Sequence, residues 1–520
     1  MKKNLLTLAA CAAIAMSANA VEAGDANIYA SGLKVTQDGV QFVLNATPTE
    51  VLVKFYNGET CVKTITVDNA VKGLNNVDLE GAFENIAANT SLTWEVVATA
   101  EANTNVVSFH DVNNADQQFK AAAGLAIETD QTKSNFGKIY IANSIPGETI
   151  GRTVADGIYM LNSDLSAINT EPYTGGVSWK NNNEMSSIAS PKNIALDKDG
   201  NLFISDWSDS EVSGVWIMDT NHPEADFNSV FDINLTNTSG TVKNNKGDVV
   251  HGSVAALLVK GEGENRVLYT LDEDIQKATR TQKGSDSDYD ATPIAKYNIG
   301  TLTNPWSSKF EAFYVNAGNG KGENIDANCS GCFAESKYGI WFAQAEASEP
   351  KWPSLVHFTE NGEVNYNFYT NFSVNYADVY SVAVNKENTK LAIGQGANIR
   401  IFDLTYSNDG VPSLTNELVI ETGKGLRPYG LAFDVVDNIY STNTASSSFV
   451  AYALPKADNS YTTKANAPVL VNDSMTGIAD VAVDANAPVE YYNLQGVKVA
   501  NPENGIFIKK QGAKATKVVL

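Results

Sequence analysis

The sequence predicts an all-β fold, in which a six-bladed β-propeller follows a small β-sandwich and precedes a short β-hairpin tail. Three observations support this prediction. A strand pattern recurs six times along the middle of the chain. The first part of the chain alternates polar and apolar side chains. The composition of 38 Gly, 21 Tyr and 20 Phe favours short strands joined by turns.

The central repeat has one strong strand in each unit, with an apolar strand upstream of it and another downstream. The six strong strands cover 137–143, 200–206, 266–272, 338–344, 389–395 and 437–443. A weaker fourth strand closes the units, as at 229–232 and 417–420. Since each blade covers its apolar face only by packing on the next, six such units in tandem predict a six-bladed propeller over 106–473.

The region before the repeat consists of short alternating segments at 39–44, 51–56, 62–67 and 91–98. A turn at Asn57-Gly58 joins two of them, as expected for antiparallel strands. This pattern resembles the immunoglobulin-like modules that precede larger domains in exported Bacteroidetes proteins. The resemblance implies an immunoglobulin-like β-sandwich over 21–105.

Composition and charge exclude several classes of protein. Hydrophobic residues make up 43% of the chain and charged residues 19%, which excludes a disordered or fibrous protein. The 60 acidic and 37 basic side chains give a net charge of −23. Because such a surface repels polyanions, we expect no nucleic-acid partner.

The amino terminus has the features of a secretory signal peptide over residues 1–20. Lys2 and Lys3 precede an apolar run over 5–16, and small residues at 18–20 predict cleavage after Ala20. The alternative is a bacterial lipobox that ends at Cys11 and would make the protein a lipoprotein. No other stretch reaches the roughly 20 apolar residues of a membrane helix. We therefore expect a secreted or cell-surface protein without a transmembrane segment.

Three cysteines follow the predicted cleavage site, namely Cys61, Cys329 and Cys332. The last two form a C-x-x-C motif, which is compatible with a redox pair, half of a zinc site, a local disulfide or two reduced thiols. A zinc site needs two more ligands, and the four histidines are scattered with no second C-x-x-C. A small structural disulfide or two thiols is therefore the favoured interpretation.

Two units carry a recognisable motif. Residues 190–206 read Ser-Pro-Lys-Asn-Ile-Ala-Leu-Asp-Lys-Asp-Gly-Asn-Leu-Phe-Ile-Ser-Asp, and 427–434 repeat the opening as Arg-Pro-Tyr-Gly-Leu-Ala-Phe-Asp. Both resemble the NHL and gluconolactonase-like group of propellers. That resemblance implies a divalent metal held by Glu, Asn and Asp from the turns before the first strands. Lys192 and Tyr429 stand where the metal-binding Asn is expected, which argues against lactonase activity.

The candidate site lies on the face that carries the turns before each first strand and the turns between second and third strands. We call it the funnel face. The second strands end there on polar residues: Asn143, Asp206, Asp272, Gln344, Gln395 and Asn443. Such a ring could hold a hard cation or sugar hydroxyls. The alternative is that these side chains cap the backbone of their own turns.

Three more residues belong to the candidate funnel face. Trp207 and Trp352 could stack on sugar rings, although a tryptophan in a propeller also packs between blades. His251 is the histidine expected near the funnel. A calcium ion is the candidate cofactor, in a loop that matches only the first half of a calcium motif. That loop carries Asp286, Asp288 and Asp290.

The chain ends with a linker over 474–488 and a tail over 489–520. The tail contains Asn-Gly-Ile-Phe-Ile at 504–508 and ends in Lys-Val-Val-Leu. It resembles the C-terminal sorting tail of Bacteroidetes proteins carried by the type IX (Por) system, which implies secretion machinery as a partner.

Taken together, the signal peptide, the tail and the funnel-face residues lead us to expect an exported protein that binds a glycan or another polar small molecule. A metal-dependent hydrolase or lactonase is the alternative.

Overall fold

The computed structural model describes most of the chain after the predicted signal peptide. The described residues are 21–179, 190–208, 214–232, 251–273, 275, 292–303, 305–308, 310–316, 325–326, 331–345, 352–372, 374, 376–423, 428–443, 448–476, 487–512 and 514–520. Strands dominate them. Their helical segments include the 3₁₀ turns Ala115–Gln117 and Gly263–Asn265 and the α-helical turn Phe368–Asn371. None of the described helices is long and apolar enough to cross a membrane.

Six sheets follow one another along the chain, and the three or four consecutive strands of each are antiparallel and lie in sequence order. The first sheet contains Ala122–Ile127, Ile139–Asn143 and Gly157–Leu161, and the hairpin Gly147–Glu148 with Thr153–Val154 projects from it. The second contains Ile194–Leu196, Asn201–Asp206, Gly214–Asp219 and Asn228–Ser229. The third contains Val254–Lys260, Val267–Asp272, Ile294–Tyr297 and Glu311–Tyr314.

The remaining three sheets have the same arrangement. The fourth contains Gly331–Ser336, Gly339–Gln344, Leu355–Thr359 and Val364–Asn367. The fifth contains Val379–Val384, Lys390–Gln395, Asn398–Tyr406 and Pro412–Glu421. The sixth contains Gly430–Phe433, Asn438–Asn443 and Ser448–Ala453. The six strong strands that the repeat predicts all overlap the second strands of these sheets.

The first strands of the six sheets contact one another in a closed circle. Each contacts the first strand of the next sheet, and the first strand of sheet six contacts that of sheet one. Small residues permit this approach: a Cβ atom on Gly430 would lie 2.7 Å from the Leu125 Cβ and 2.8 Å from the Ala123 carbonyl oxygen. Buried apolar clusters fill the spaces between successive sheets. The molecule is a propeller-like β fold.

The amino-terminal chain completes the sixth sheet. Val107–Ser108 pairs antiparallel with Ser448–Ala453, and Glu22–Ala23 pairs in parallel with Val107–Ser108. A segment from the beginning of the chain thus joins a sheet whose other strands come more than 300 residues later. This pairing ties the two ends of the circle together.

Two further sheets lie before the circle of six. One contains Ala30–Val35, Gly39–Leu44 and Gly73–Asp78, and the other contains Glu50–Asn57, Thr60–Thr66 and Ser91–Thr99. Ser460–Lys464 and Val469–Leu470, which the sequence places in the 106–473 segment, pair with Ser91–Thr99. The Trp94 indole nitrogen also donates to the Ala467 carbonyl at 2.9 Å. Segments that follow the sixth sheet in the sequence therefore complete the sheets of the amino-terminal region.

The tail forms an antiparallel sheet of four strands: Val489–Tyr492, Lys498–Val499, Ile506–Gln511 and Lys514–Val519. The expectation of a single hairpin is wrong in the number of strands. The Asn493 side chain accepts hydrogen bonds from the backbone nitrogens of Gln495 and Val497, at 3.0 and 2.9 Å. This tight turn allows Lys498–Val499 to fold back and pair with Val489–Tyr492.

Candidate functional site

The six polar residues of the predicted ring each end the second strand of a sheet, as the repeat pattern indicates. Five of them are buried: Asn143, Asp206, Asp272, Gln344 and Asn443. Gln395 is partly exposed. The structure therefore places them at equivalent positions around the circle, but largely out of contact with solvent.

Hydrogen bonds to nearby backbone occupy most of these side chains. Asn143 accepts from the Ala121 nitrogen at 2.9 Å and donates to the carbonyls of Ile145 and Ala155, at 2.9 and 2.8 Å. Gln344 donates to the Pro353 carbonyl at 2.7 Å and accepts from the Asp326 nitrogen at 3.1 Å. These bonds favour the capping interpretation at both positions, because each amide satisfies donors and acceptors of neighbouring turns.

Asp272 and Gln395 have similar local partners. The Asp272 carboxylate accepts from the Gly252 nitrogen at 2.9 Å and from the Ile275 nitrogen at 3.3 Å. Gln395 donates to the Ala377 carbonyl at 2.9 Å and accepts from the Arg400 guanidinium at 2.9 Å. An incoming ligand would have to replace these bonds.

Asp206 differs from the other members of the ring. One carboxylate oxygen accepts a short hydrogen bond from the Ser208 hydroxyl, while the other is buried without a hydrogen-bond partner in the described part of the chain. Burial raises the pKa of Asp206 to about 7, and hydrogen bonds from Ser208 and Ser190 partly oppose the rise. This carboxyl group can therefore donate or accept a hydrogen bond near neutral pH.

A cation contacts two aromatic rings on the funnel face, and one of them, Trp207, directly follows Asp206 in the chain. The Lys192 ammonium nitrogen is 3.6 Å from the Tyr429 ring centroid and 5.0 Å from the Trp207 ring centroid. Tyr380 packs edge-on against Tyr429, with the ring centroids 5.2 Å apart. We call Lys192, Trp207, Tyr380 and Tyr429 the mouth cluster. Lys192 and Tyr429 lie just before the first strands of sheets two and six, Trp207 follows the second strand of sheet two, and Tyr380 lies in the first strand of sheet five. Lys192, Trp207 and Tyr429 are buried.

His251 packs against the aromatic ring of Phe231. Its ring centroid is 3.6 Å from that of Phe231, and the side chain is almost fully buried. Burial lowers the pKa of His251 to about 3, so the imidazole is neutral at physiological pH. These features indicate a packing role between sheets two and three.

The other predicted residues are not part of the mouth cluster. Trp352 is partly buried just before the third strand of sheet four. Asp286, Asp288 and Asp290 lie outside the described residues. In the described ranges, no group of three or more His, Cys, Asp or Glu side chains is arranged to hold a metal ion.

The C-x-x-C motif is described only in part, because Cys329 lies outside the described residues. Cys332 is buried in the cluster between sheets four and five. Burial raises the pKa of its thiol. A buried thiol of raised pKa is a poor nucleophile, which argues against redox catalysis at Cys332.

Sequence reasoning missed a polar network between sheets four and five. His357 contacts the Ser336 hydroxyl through Nε2 at 2.9 Å and the Asn365 amide oxygen through Nδ1 at 2.6 Å. Tyr406 forms a hydrogen bond of 2.8 Å to the same serine hydroxyl. The Asn365 amide nitrogen donates to the Gly410 carbonyl, so its oxygen accepts from Nδ1 and Nε2 accepts from the serine.

The geometry of this network resembles a nucleophile, a base and an orienting group. Its chemistry does not support catalysis. Burial lowers the pKa of His357 to about 4 and outweighs the hydrogen bond to Asn365, which raises it, so the imidazole is a weak base. The network therefore joins two neighbouring sheets. Its partners, Ser336, His357 and Tyr406, lie on different strands, so no local motif reveals it.

Several solved structures are similar to this chain. One is a structural genomics protein of unknown function from Bacteroides thetaiotaomicron, with 10% identity and a TM-score of 0.39 over 84% of this chain and 100% of that one. Another is a gluconolactonase from Xanthomonas campestris, with 11% identity and a TM-score of 0.38 over 69% and 90%.

A third is an auxiliary nutrient binding protein from Bacteroides ovatus, with 10% identity and a TM-score of 0.31 over 82% of this chain and 97% of that one. No protein-family model and no curated protein matches the sequence. Similarity at this level carries no information about activity.

Proposed function

We propose that this chain is an exported binding protein whose funnel face takes a glycan or another polar small molecule. Its central body would be a six-bladed β-propeller, with the two amino-terminal sheets as an immunoglobulin-like sandwich. The closed circle of six first strands supports the propeller assignment. The apolar core shared by the two amino-terminal sheets supports the sandwich.

The mouth cluster is the observation that carries the proposed function. Aromatic faces stack on the apolar side of a sugar ring, while charged groups bond its hydroxyls. Trp207 and Tyr429 carry such faces, Lys192 carries donors and Asp206 carries a carboxyl group. All four side chains are buried, so a sugar would have to displace the Lys192 ammonium from the Tyr429 ring to reach them. These groups come from different sheets that the fold brings to one place.

The same cluster disfavours the alternative of a metal-dependent lactonase. A divalent cation beside Lys192 would be repelled by the ammonium group, which lies against the Tyr429 ring instead. Capping bonds of Asn143 and Gln344 also occupy amides that a metal would need. Binding without a metal is therefore the better supported function.

Calorimetric titration with neutral oligosaccharides tests the proposal. Tyr429→Ala should abolish saturable binding, while Tyr369→Ala, which changes a partly exposed tyrosine in the helical turn Phe368–Asn371, should leave it unchanged. Equal effects of the two substitutions would count against the funnel face. Hydrolysis of glucono-lactone that requires added calcium or zinc and stops with chelator would establish the lactonase instead.

Export is tested at the amino terminus. Glu22–Ala23 forms a strand directly after the predicted cleavage site, which supports a mature chain that begins at Val21. Amino-terminal sequencing of the secreted protein should therefore start with Val-Glu-Ala. Recovery of a lipid-modified Cys11 would favour the lipoprotein alternative. Retention of a chain that lacks 489–520 would identify the tail as its link to secretion machinery.

A further inference from the structure

The Lys192 side chain covers the aromatic faces of the mouth cluster. Its ammonium nitrogen lies 3.6 Å from the Tyr429 ring centroid and 5.0 Å from that of Trp207, and all three side chains are buried. Lys192 precedes sheet two and Tyr429 precedes sheet six, so their contact passes over the end of sheet one, which lies between them in the circle. The lysine therefore occupies the surface that the proposed function assigns to a sugar ring.

Hydrogen bonds hold the backbone around Lys192, whereas its ammonium group sits on a flexible four-carbon stem. The Lys192 nitrogen donates to the Ser205 carbonyl at 3.0 Å, and the Pro191 carbonyl accepts from the Ser144 hydroxyl at 2.6 Å. The Asn193 nitrogen donates to the Ser205 hydroxyl at 2.9 Å. Rotation of the lysine side chain alone can therefore carry the ammonium group off the rings while the turn stays in place.

The rings under the ammonium group have contacts that do not involve Lys192. The Trp207 backbone nitrogen donates to the Ser190 hydroxyl at 2.9 Å. Tyr380 packs nearly perpendicular to Tyr429, with an interplanar angle of 79° and the ring centroids 5.2 Å apart. Because these contacts help to position both rings, their faces can serve a ligand once the ammonium group has moved.

Two consecutive residues at the mouth each carry a buried polar atom that has no hydrogen-bond partner among the described residues. These atoms are the Trp207 indole nitrogen and one carboxylate oxygen of Asp206. A buried polar atom without a partner costs free energy, and a ligand group that bonds to it removes that cost. A hydroxyl group both donates and accepts, so it suits either atom. The closed arrangement thus leaves hydrogen bonds unmade that a hydroxylated ligand can supply.

We propose that Lys192 is a gate, which holds the mouth cluster closed until its ammonium group leaves the Tyr429 ring and a neutral hydroxylated ligand takes its place. This inference rests on the proposed function of the funnel face. A cation–π contact is strong enough to keep most molecules closed and weak enough for a ligand to displace. Since only open molecules bind, the gate lowers the apparent affinity in proportion to the fraction that is open.

Calorimetric titration of the mature chain with neutral oligosaccharides tests the gate. Lys192→Ala should bind about tenfold more tightly than the wild type, because every molecule is then open. Lys192→Met, which keeps the bulk of the stem and removes the charge, should also bind more tightly. Lys198→Ala, at an exposed lysine after the first strand of the same sheet, should bind as the wild type does. Unchanged or weaker binding in both Lys192 variants would overturn the gate and leave the proposed function standing.

Tetramethylammonium chloride probes the gate without a sugar, because this cation binds aromatic faces. Lys192→Ala should bind it saturably and the wild type should not. Lys192→Ala/Tyr429→Leu should lose this binding, and Lys192→Ala/Tyr369→Leu should keep it. Equal binding by the wild type and Lys192→Ala, or none by either, would overturn the gate. If no protein binds an oligosaccharide, the proposed function is wrong, and the tetramethylammonium titration still decides whether Lys192 covers the rings.

Discussion

The Lys192 ammonium nitrogen lies 3.6 Å from the centroid of the Tyr429 ring. The two residues belong to turns before the first strands of sheets two and six, which are separated in the circle by sheet one. The sequence resemblance led us to expect a metal-binding Asn at each position, and the structure shows a cation–π pair between the two residues instead.

A double-mutant cycle measures the strength of this pair. Lys192→Met and Tyr429→Leu should each destabilise the protein, and their effects should be coupled by about 1 kcal/mol in the free energy of unfolding. Urea unfolding of the two single variants and the double variant gives the coupling. The cycle of Lys192→Met with Tyr369→Leu is the matched control and should be additive. Additive effects in both cycles would show that the contact contributes no energy.

Closure of the circle depends on the absence of a side chain at Gly430. A Cβ atom there would lie 2.2 Å from the Thr442 hydroxyl oxygen and 2.8 Å from the Ala123 carbonyl oxygen. Gly430→Ala should therefore push sheets one and six apart and destabilise the protein by about 1–3 kcal/mol. Urea unfolding measures the change. Gly505→Ala in the tail, where the nearest atoms belong to the Phe507 ring, should change stability by less than about 0.5 kcal/mol.

The buried His357 predicts a loss of stability in weak acid. Its pKa is about 4 in the folded state, against 6.5 for an ordinary histidine. Above pH 6.5 both states are neutral. As the pH falls from 6.5 to 4, the unfolded chain binds a proton that the folded chain does not, so stability decreases. The shift corresponds to a loss of up to about 3 kcal/mol.

Comparison with a variant isolates this contribution. His357→Gln should reduce the difference in unfolding free energy between pH 7.5 and pH 5, as measured by urea titration. Contributions of other buried groups, such as Asp206 and Asp434, are common to both proteins and cancel. His222→Gln, at an exposed histidine, should keep the wild-type pH dependence. The same pH dependence in His357→Gln and the wild type would refute the explanation.

Truncations test how the two ends of the chain support the fold. A chain that ends at residue 455 lacks Ser460–Lys464 and Val469–Leu470, and it leaves the Trp94 indole without its Ala467 partner. We expect it to lose protection of the amino-terminal sheets in limited proteolysis. A chain that ends at residue 488 should keep the melting temperature, because the described tail strands pair only with one another. Equal proteolysis of the two truncated chains would contradict the expectation that 456–488, and not the tail, supports the amino-terminal sheets.

The sequence alone determined the repeated strands and the placement of polar residues at the ends of the second strands. Those features are local, because the alternation of apolar and polar side chains and the turn residues occupy consecutive positions in the sequence. It also identified Lys192 and Tyr429 as departures from the metal-binding pattern.

Only the tertiary structure decided which distant segments meet. Val107–Ser108 joins the sixth sheet, Ser460–Lys464 joins the amino-terminal sheets, and Lys192 reaches Tyr429. In a chain of this composition, many strands could pair with one another and many cations could contact aromatic rings. The choice among them follows from closing the circle of sheets, which is a property of the whole chain and of no single repeat.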